Sequence, residues 1–455
     1  MIDYPDRPID FTLGRQQQVW ANIDGYLPSD KSISHRMILF AALARHPVRL
    51  RDLNRGKAVT LLLDALQQLG LEVTPGQTPQ TLEISGEFAQ ATHERRVDLG
   101  PSSAAARLLI GMLVGLNVPC IVDGDETLRN RPFDWIVEPL NQMGAHLEYL
   151  GRPGALPIRI HQAAFRGGAA QIHIGSAQAI STLLFAGVAA RKPMSIRYPV
   201  VARDHTQRII NSFGDRLQDE QLQIHYQPRD CAIPEEISIP RDPSAIAYPA
   251  ALFLLCNRHQ EQQRLSFDNV CLNPTRLGFF NWLLACGFNL TLEVDSIRHG
   301  EPVGRLLLRG GGQPRAHDLR DKHQFHAMID EVPLALAISC VLPGSATFSD
   351  LYELTFKESD RIAATRSMLN ALGLDYQVDG YDVRVEGGQV PSVQGAIPTF
   401  GDHRLSMTAH VLLLAHGLQA TILEGHCYQT SFPGFAQCLC LLYTSDAADE
   451  EDSVD

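Results

Sequence analysis

Along the chain, apolar residues recur at helical spacing, stop at a glycine, and resume with the alternation of a short strand. The phrase occurs as LLLDALQQLGLEV, WIVEPLNQMGAHLEYL, RIINSFGDRLQ, FFNWLLACGFNLTL and TRSMLNALGLDYQV. Its glycines are Gly70, Gly144, Gly214, Gly287 and Gly373, separated by 74, 70, 73 and 86 residues. Glycine after a helix supplies the left-handed residue that turns the chain into the next strand. Self-similarity at such an interval marks a repeated supersecondary unit. Five copies are complete, and a sixth begins at PGFAQCLCLL and runs into an acidic tail where its glycine should stand.

Other segments are apolar on every side. Residues 36–45 follow the polar head LPSDKSISH, and DPSAIAYPAALFLL (242–255) opens a fresh helix after a Pro-rich strand. A helix apolar all round is a buried helix. At 455 residues the chain exceeds one typical core, so six units divide into two domains of three. The boundary falls near 240. Residues 27–241 make the first domain, residues 1–26 with 242–442 the second, and residues 443–455 form a disordered acidic tail.

The polar head of the first such helix carries Lys31 and Ser32, and Arg36 follows it directly. A helix N-terminus offers free N–H groups and a partial positive charge, so two added cations there suit an anion. The same residues also suit an ordinary Ser/Asp cap with two solvated cations. Six further phrases mark a polar helix start or turn, GDETLRNRP (124–132), GSAQAISTLL (175–184), ARDHTQR (202–208), MIDEVPLALA (328–337), FKESDRIAA (356–364) and GDHRLSM (401–407), and all but the second and fourth carry cations there. Singly, each reads as a solvated or salt-bridged turn. Their recurrence at one kind of position, in an acidic chain, favours a shared anion site.

Composition narrows the class. Hydrophobic residues at 45% and charged residues at 20% suit a soluble globular protein. The net charge of −12, half of it carried by the six acidic residues of the tail, argues against general nucleic-acid binding. Met1 to Asp10 is polar and acidic, unlike a signal peptide, and no apolar run is long enough for a bilayer. Nine scattered cysteines without a CxxC pair predict reduced thiols in a cytoplasmic protein, with no disulfide framework and no zinc site.

Taken in order, KSISHR, RP, SAQ, RDHT, IDE-P, KESDRI and DHR resemble the enolpyruvyl transferases, from about residue 10 to 440. The resemblance is closest to the members that use shikimate 3-phosphate and, among these, to the branch often insensitive to the herbicide glyphosate. It implies an α/β fold: a two-domain inside-out α/β barrel, each domain three βαβαββ repeats, with helices inside, sheets outside and the site in the cleft. It further implies transfer of the enolpyruvyl group of phosphoenolpyruvate to the 5-hydroxyl of shikimate 3-phosphate, releasing phosphate through a tetrahedral intermediate. By resemblance Lys31, Ser32 and Arg36 meet phosphoshikimate, and Ser176, Gln178 and Arg203 hold its 3-phosphate. Arg131, Arg361 and Arg404 clamp phosphoenolpyruvate, and Lys357 meets phosphate or hydroxyl groups. Asp330 is the expected base, Glu358 the expected proton donor and acceptor at the methylene carbon, and Lys31 a third proton carrier. A carboxyl in a closed cleft can titrate high, which neighbouring cations oppose. No metal or organic cofactor is implied, and the expected form is a monomer acting on two small substrates, without nucleic acid or membrane.

The chain departs from the family pattern in four places. PSSAAAR (101–107) puts Pro101, Ser103 and Ala104 where Asn, Gly (Ala in insensitive members) and Thr are usual, while Arg107 is retained. A Ser103 side chain crowds both phosphoenolpyruvate and glyphosate, and Pro101 removes a backbone donor. Ser29 replaces a Gly, Ala202 replaces a hydroxyl residue, and the last repeat stops at Leu442. Two other readings stay open. An enzyme with UDP-N-acetylglucosamine as acceptor would carry a cysteine loop before its RP, and GDETLRNRP has none. An anion-binding relic has only the PSSAA loop in its favour.

Overall fold

The structure, a computed structural model, describes residues 23–443 apart from 77, 79, 80 and 90–93. The return of residues 1–22 to the second domain and the acidic tail beyond Tyr443 lie outside the described residues. Two hydrophobic cores are present. One is built by residues from Ile33 to Ile239 together with Cys271, the other by Ile23, Leu27 and residues from Ala245 to Leu442. No helix among the described residues is long and apolar enough to cross a membrane.

In the first half three four-stranded sheets share one plan. Cys120–Asp123 pairs parallel with Arg96–Asp98 and antiparallel with Ile158–His161, which pairs in turn with His146–Tyr149. Met194–Arg197 sits likewise between Gly168–Gln171 and Gln223–Gln227, with Arg216–Glu220 beyond. Val48–Arg51 takes its parallel partner from the far end of the half, Glu236–Ser238, so the first unit is closed by the last strand. In the second half the parallel position shrinks to single bridges, Arg241 to Val270 and Leu319 to Phe348, beside two three-stranded sheets. The sixth unit keeps a lone parallel bridge, Ile397 to Ile422, before the helix Phe435–Tyr443. The repeat therefore continues through the chain while its parallel strand is reduced to a single bridge. The five repeat glycines all lie at positive φ, from 63° to 108°, which a side chain at these turns would strain.

Six helices carry the cores: Lys31–Leu43, Ser103–Leu116, Ala177–Ala190, Pro243–Cys256, Val332–Val341 and His403–His416. Nearly every side chain in them is buried, as their lack of a polar face requires. Each fully buried Leu, Ile or Phe contributes roughly 1.5–3 kcal/mol, and a polar stripe would forfeit that. Asp30, Ser102, Ser176, Asp242 and Asp402 cap five of the six through side-chain bonds to backbone N–H groups. The Ser103 and Ala177 helices cross at contact distance: a Cβ on Gly111 would lie 2.1 Å from the Thr182 carbonyl oxygen, and one on Gly115 2.4 Å from that of Ala186.

In an exposed helix Gly→Ala stabilises by about 1 kcal/mol. Here Gly111→Ala must push two buried helices apart, and we expect a net loss of about 2–3 kcal/mol, seen as a lower thermal midpoint. An equal or higher midpoint would show that the crossing tolerates a methyl group.

Candidate active site

The halves are joined by two crossovers that pair with each other. Ser29 bridges Arg241 antiparallel, Asp30 N–H donates to Pro240 O (2.7 Å), and Asp242 N–H donates to Pro28 O (3.0 Å). From this seam a cavity of about 1000 Å³ opens between the halves, and the N-terminal residues of the buried helices line it. All thirteen residues singled out from the sequence border it: Lys31, Ser32, Arg36, Ser103, Arg131, Ser176, Gln178, Arg203, Asp330, Lys357, Glu358, Arg361 and Arg404. They come from both halves and from positions more than three hundred residues apart.

On the first half, Arg36 is buried and donates to Thr206 Oγ1 (2.7 Å), Ser181 Oγ (2.8 Å) and Ser32 O (2.8 Å). Burial, joined by Arg276 and Arg203 against the pull of Asp30 and Glu301, lowers its guanidinium to about 10. Arg107 donates to Gln178 Oε1 and to Pro132 O (2.7 Å), with its guanidinium 4.9 Å from the centre of the Phe133 ring. Ser103 lies between these groups, its Oγ accepting from Arg131 Nη1 at 2.7 Å and facing Gln178 Oε1 at 3.5 Å. Its hydroxyl thus occupies a guanidinium donor facing the cavity. Ser176 caps its helix at Ala179 N–H (3.3 Å).

On the second half, Arg361 holds three carboxylates: Nε donates to Asp402 Oδ2 (2.8 Å), Nη1 to Asp330 Oδ1 (3.0 Å) and Nη2 to Glu358 Oε2 (2.6 Å). Arg404 donates to Ser244 O (3.2 Å) and approaches Glu331 Oε1 at 3.9 Å. Two pairs span the cleft, Arg203 Nη1 to Asp330 Oδ2 (2.7 Å) and Arg131 Nη2 to Glu358 Oε1 (3.7 Å). Arg203 Nε and Nη2, Arg131 Nε and Arg404 Nε are buried donors without a protein partner among the described residues. A phosphate or carboxylate is the kind of group they can serve.

The electrostatics decide the protonation states. Burial pushes the Asp330 carboxyl up, but Arg203, Arg404, Lys357 and Arg361 outweigh it and hold it well below the usual range. Burial likewise raises Glu358, and Arg361, Arg131, His403 and Lys31 overcome that too. The expectation of a high-titrating carboxyl in the cleft thus gives way to its cations. Burial lowers the Lys31 ammonium, with Arg404 adding to it, and burial lowers Lys357, with Arg361 adding to it against the pull of Asp330.

Several residues without a sequence assignment belong to the site. His403, in the GDHRLSM phrase, lies on the cavity wall beside Arg404. Asp242 had a signal, an Asp-Pro helix start, read only as a domain boundary; it caps the Pro243 helix and accepts from Lys31 N–H (3.1 Å). Arg276 carried no signal. Its partners Asp30 and Asp242 lie 246 and 34 residues away.

Two like halves of stacked α/β units, with buried helix N-termini gathered around one cationic cleft, define a two-domain transferase fold for small polyanions. A sequence profile of EPSP synthase (3-phosphoshikimate 1-carboxyvinyltransferase) matches residues 16–439. The 3-phosphoshikimate 1-carboxyvinyltransferases of Granulibacter bethesdensis and Gluconobacter oxydans are 33% and 34% identical to the chain. These matches cover 90% of this chain and 91% of the first relative, and 91% of this chain and 93% of the second. A solved EPSP synthase from Acinetobacter baumannii superposes with a TM-score of 0.77 at 28% identity, covering 90% of this chain and 93% of its own. The chain belongs to the EPSP synthase family. Its activity is that of a 3-phosphoshikimate 1-carboxyvinyltransferase, a transferase of the shikimate pathway.

Burial around the cavity also sets an acid limit. Burial and then Lys31 hold His35 at about 3, and burial and then Lys357 hold His326 at about 4, against 6.5 when unfolded. Both are neutral in the fold at pH 5 while the unfolded chain is protonated, so their stability is full above about 6.5 and lost as pH falls. Each costs about 2 kcal/mol at pH 5, before Asp330 and Glu358 begin to titrate. The thermal midpoint should drop between pH 7 and pH 5, and less so in His35→Gln. Equal midpoints at the two pH values would contradict this.

Proposed function

We propose the following division of labour for enolpyruvyl transfer in this chain. The 3-phosphate of shikimate 3-phosphate lies against Ser176, Gln178 and the two unpartnered donors of Arg203, with Ser32, Arg36 and Lys31 on the ring substituents. Phosphoenolpyruvate lies between Arg131 and Arg404, with Lys31 and Lys357 at its phosphate. Arg361 reaches phosphoenolpyruvate only where a ligand oxygen displaces Glu358, so its main part is to aim both carboxylates. The domain limits given above, 27–241 and 242–442 with the N-terminal segment, assign phosphoshikimate to the first half and phosphoenolpyruvate to the second. Both walls come from one chain, which supports a monomer, and the partners are the two small anions. Nine cysteines without a disulfide support localisation in the cytoplasm.

The observation that carries this reading is the Asp330–Arg361–Glu358 bridge, which holds two carboxylates at fixed separation beside the cationic wall. In the addition step the 5-hydroxyl oxygen bonds to C2 of phosphoenolpyruvate and its proton passes to Asp330. The C2–C3 double bond opens and C3 takes a proton from Glu358, giving the tetrahedral intermediate. In the elimination Glu358 recovers a proton from the new methyl group, the double bond re-forms, and the C2–O bond to phosphate breaks. The departing phosphate takes its proton from Asp330 or Lys31. Glu358 must carry a proton at the start, which the arginines around it oppose. Two polyanionic substrates cancel those arginines, and the proton affinity of Glu358 rises when both are bound. Phosphoenolpyruvate brings the activated group itself, so none of these steps calls for a metal or organic cofactor.

Asp330→Asn and Glu358→Gln should each lower kcat at least about a hundredfold and leave phosphoshikimate affinity within a few-fold. Phosphate release from phosphoenolpyruvate and calorimetric titration check the two parts, and near-normal turnover in either variant removes the assigned role.

The Ser103 hydroxyl on Arg131 supports a second element, tolerance of glyphosate, because it fills space and takes a donor that an inhibitor would use. Ser103→Gly should lower the glyphosate inhibition constant and the KM for phosphoenolpyruvate by about tenfold or more, the worth of one charge-assisted hydrogen bond. An unchanged inhibition constant refutes the steric account. Absence of phosphoshikimate-dependent phosphate release in the parent would instead favour the weakened, anion-binding reading of the PSSAA loop.

A further inference from the structure

Arg276 is fully enclosed in the seam where the halves join, on a short turn of the second half, Pro274–Arg276. Its Nη1 donates to Asp30 Oδ2 (2.8 Å) and its Nη2 to Asp242 Oδ1 (2.8 Å) and Ser244 Oγ (2.9 Å). Asp30 and Asp242 are the two crossover residues, and each caps the helix that follows it. Asp242 also receives Lys31 N–H at 3.1 Å, so one guanidinium ties both crossovers to the backbone of Lys31.

The same Nη1 lies 3.1 Å from His205 Nε2, and His205 Nδ1 lies 2.7 Å from Glu301 Oε1. A guanidinium can only donate, so Nε2 accepts and Nδ1 carries the proton given to Glu301. His205, Cys271 and Glu301 are metal-ligand types brought together, yet both imidazole nitrogens are already engaged, which makes this cluster part of the seam. Through His205 the guanidinium reaches the RDHT segment that bears Arg203.

We infer that Arg276 is a positioning residue for the transfer reaction, holding the Lys31 ammonium in place by clamping both inter-half crossovers. This rests on the part given to Lys31 above. The groups that face Lys31 are Asp242 before the Pro243 helix, Asp330 before the Val332 helix, Glu358 before the Arg361 helix, Arg404 and His403 on the His403 helix, and His35 on its own helix. Of these, Asp242 alone is paired with Arg276. Removing the guanidinium exposes the Asp242 charge to Lys31 and strengthens its hold on a proton; removing the Asp242 charge weakens it.

Trace acetylation with acetic anhydride across pH, located by mass spectrometry, reads the titration midpoint of Lys31 directly, with Lys357 as internal standard. In Arg276→Met the Lys31 midpoint should rise by about one pH unit, and in Asp242→Asn it should fall, with Lys357 unmoved in both. Turnover in Arg276→Met should drop about tenfold or more, with Arg276→Lys recovering part of the loss. Asp242→Asn keeps the helix cap and the Arg276–Asp30 pair, so it gives a reading even if Arg276→Met folds poorly. Unmoved midpoints in both variants, or shifted midpoints with full turnover in Arg276→Met, overturn the inference. Full turnover in Lys31→Met instead overturns the role of Lys31 itself, which labelling of the amine does not test.

Discussion

A helix with no polar face can only be buried, and burying it leaves the free N–H groups of its first turn in search of partners. Six such helices stand at the centre of the two halves, and the place where their N-termini meet solvent is the face between the halves. Side-chain caps satisfy part of the need, as Asp30, Ser102, Ser176, Asp242 and Asp402 do. What remains is a cleft whose walls are positive from backbone and side chains together. A site for polyanions is thus the consequence of an inside-out core, and the sheets outside close each half around it.

A wall of buried guanidinium groups would be costly by itself, since an unpaired buried charge costs several kcal/mol. The chain balances it with carboxylates, two of which the proposed mechanism uses as proton carriers. Arg361 gathers Asp330, Glu358 and Asp402, and Arg203 shares Asp330 across the cleft. These pairs keep both reactive carboxyls ionised while the cations face only protein. In the proposed mechanism substrate phosphates exchange for the carboxylates as partners of the arginines, so binding and the change in protonation needed for catalysis become one event. Ser103 marks where this chain differs, because its hydroxyl serves Arg131 in a position where the family pattern leaves space.

Much of this was legible in the chain. The repeat glycines announce themselves by interval, and each adopts the left-handed backbone that turns a helix into a strand. The candidate site residues came from motifs whose order carries the family resemblance, and the structure places all thirteen on one cavity, at or near helix starts. Their protonation was not legible: Glu358 reads as a carboxyl in a closed cleft, and only its distance to Arg361 and Arg131 shows that the cations prevail. The thinning of the sheets in the second half was hidden too, because a strand reduced to one bridge, as at Leu319 and Phe348, leaves no alternation to read.

By itself, then, the sequence determined the repeated unit, the buried helices and the cationic caps, because hydrophobic period, glycine chirality and capping act over a few neighbouring residues. Tertiary structure alone decided which charge meets which. Arg276 lies in a stretch, NPTR, with nothing to distinguish it, and its importance comes from Asp30 and Asp242, which a folded seam brings within 2.8 Å. Coulombic pairing depends on distance in space, and that distance is set only when the two halves close on one another.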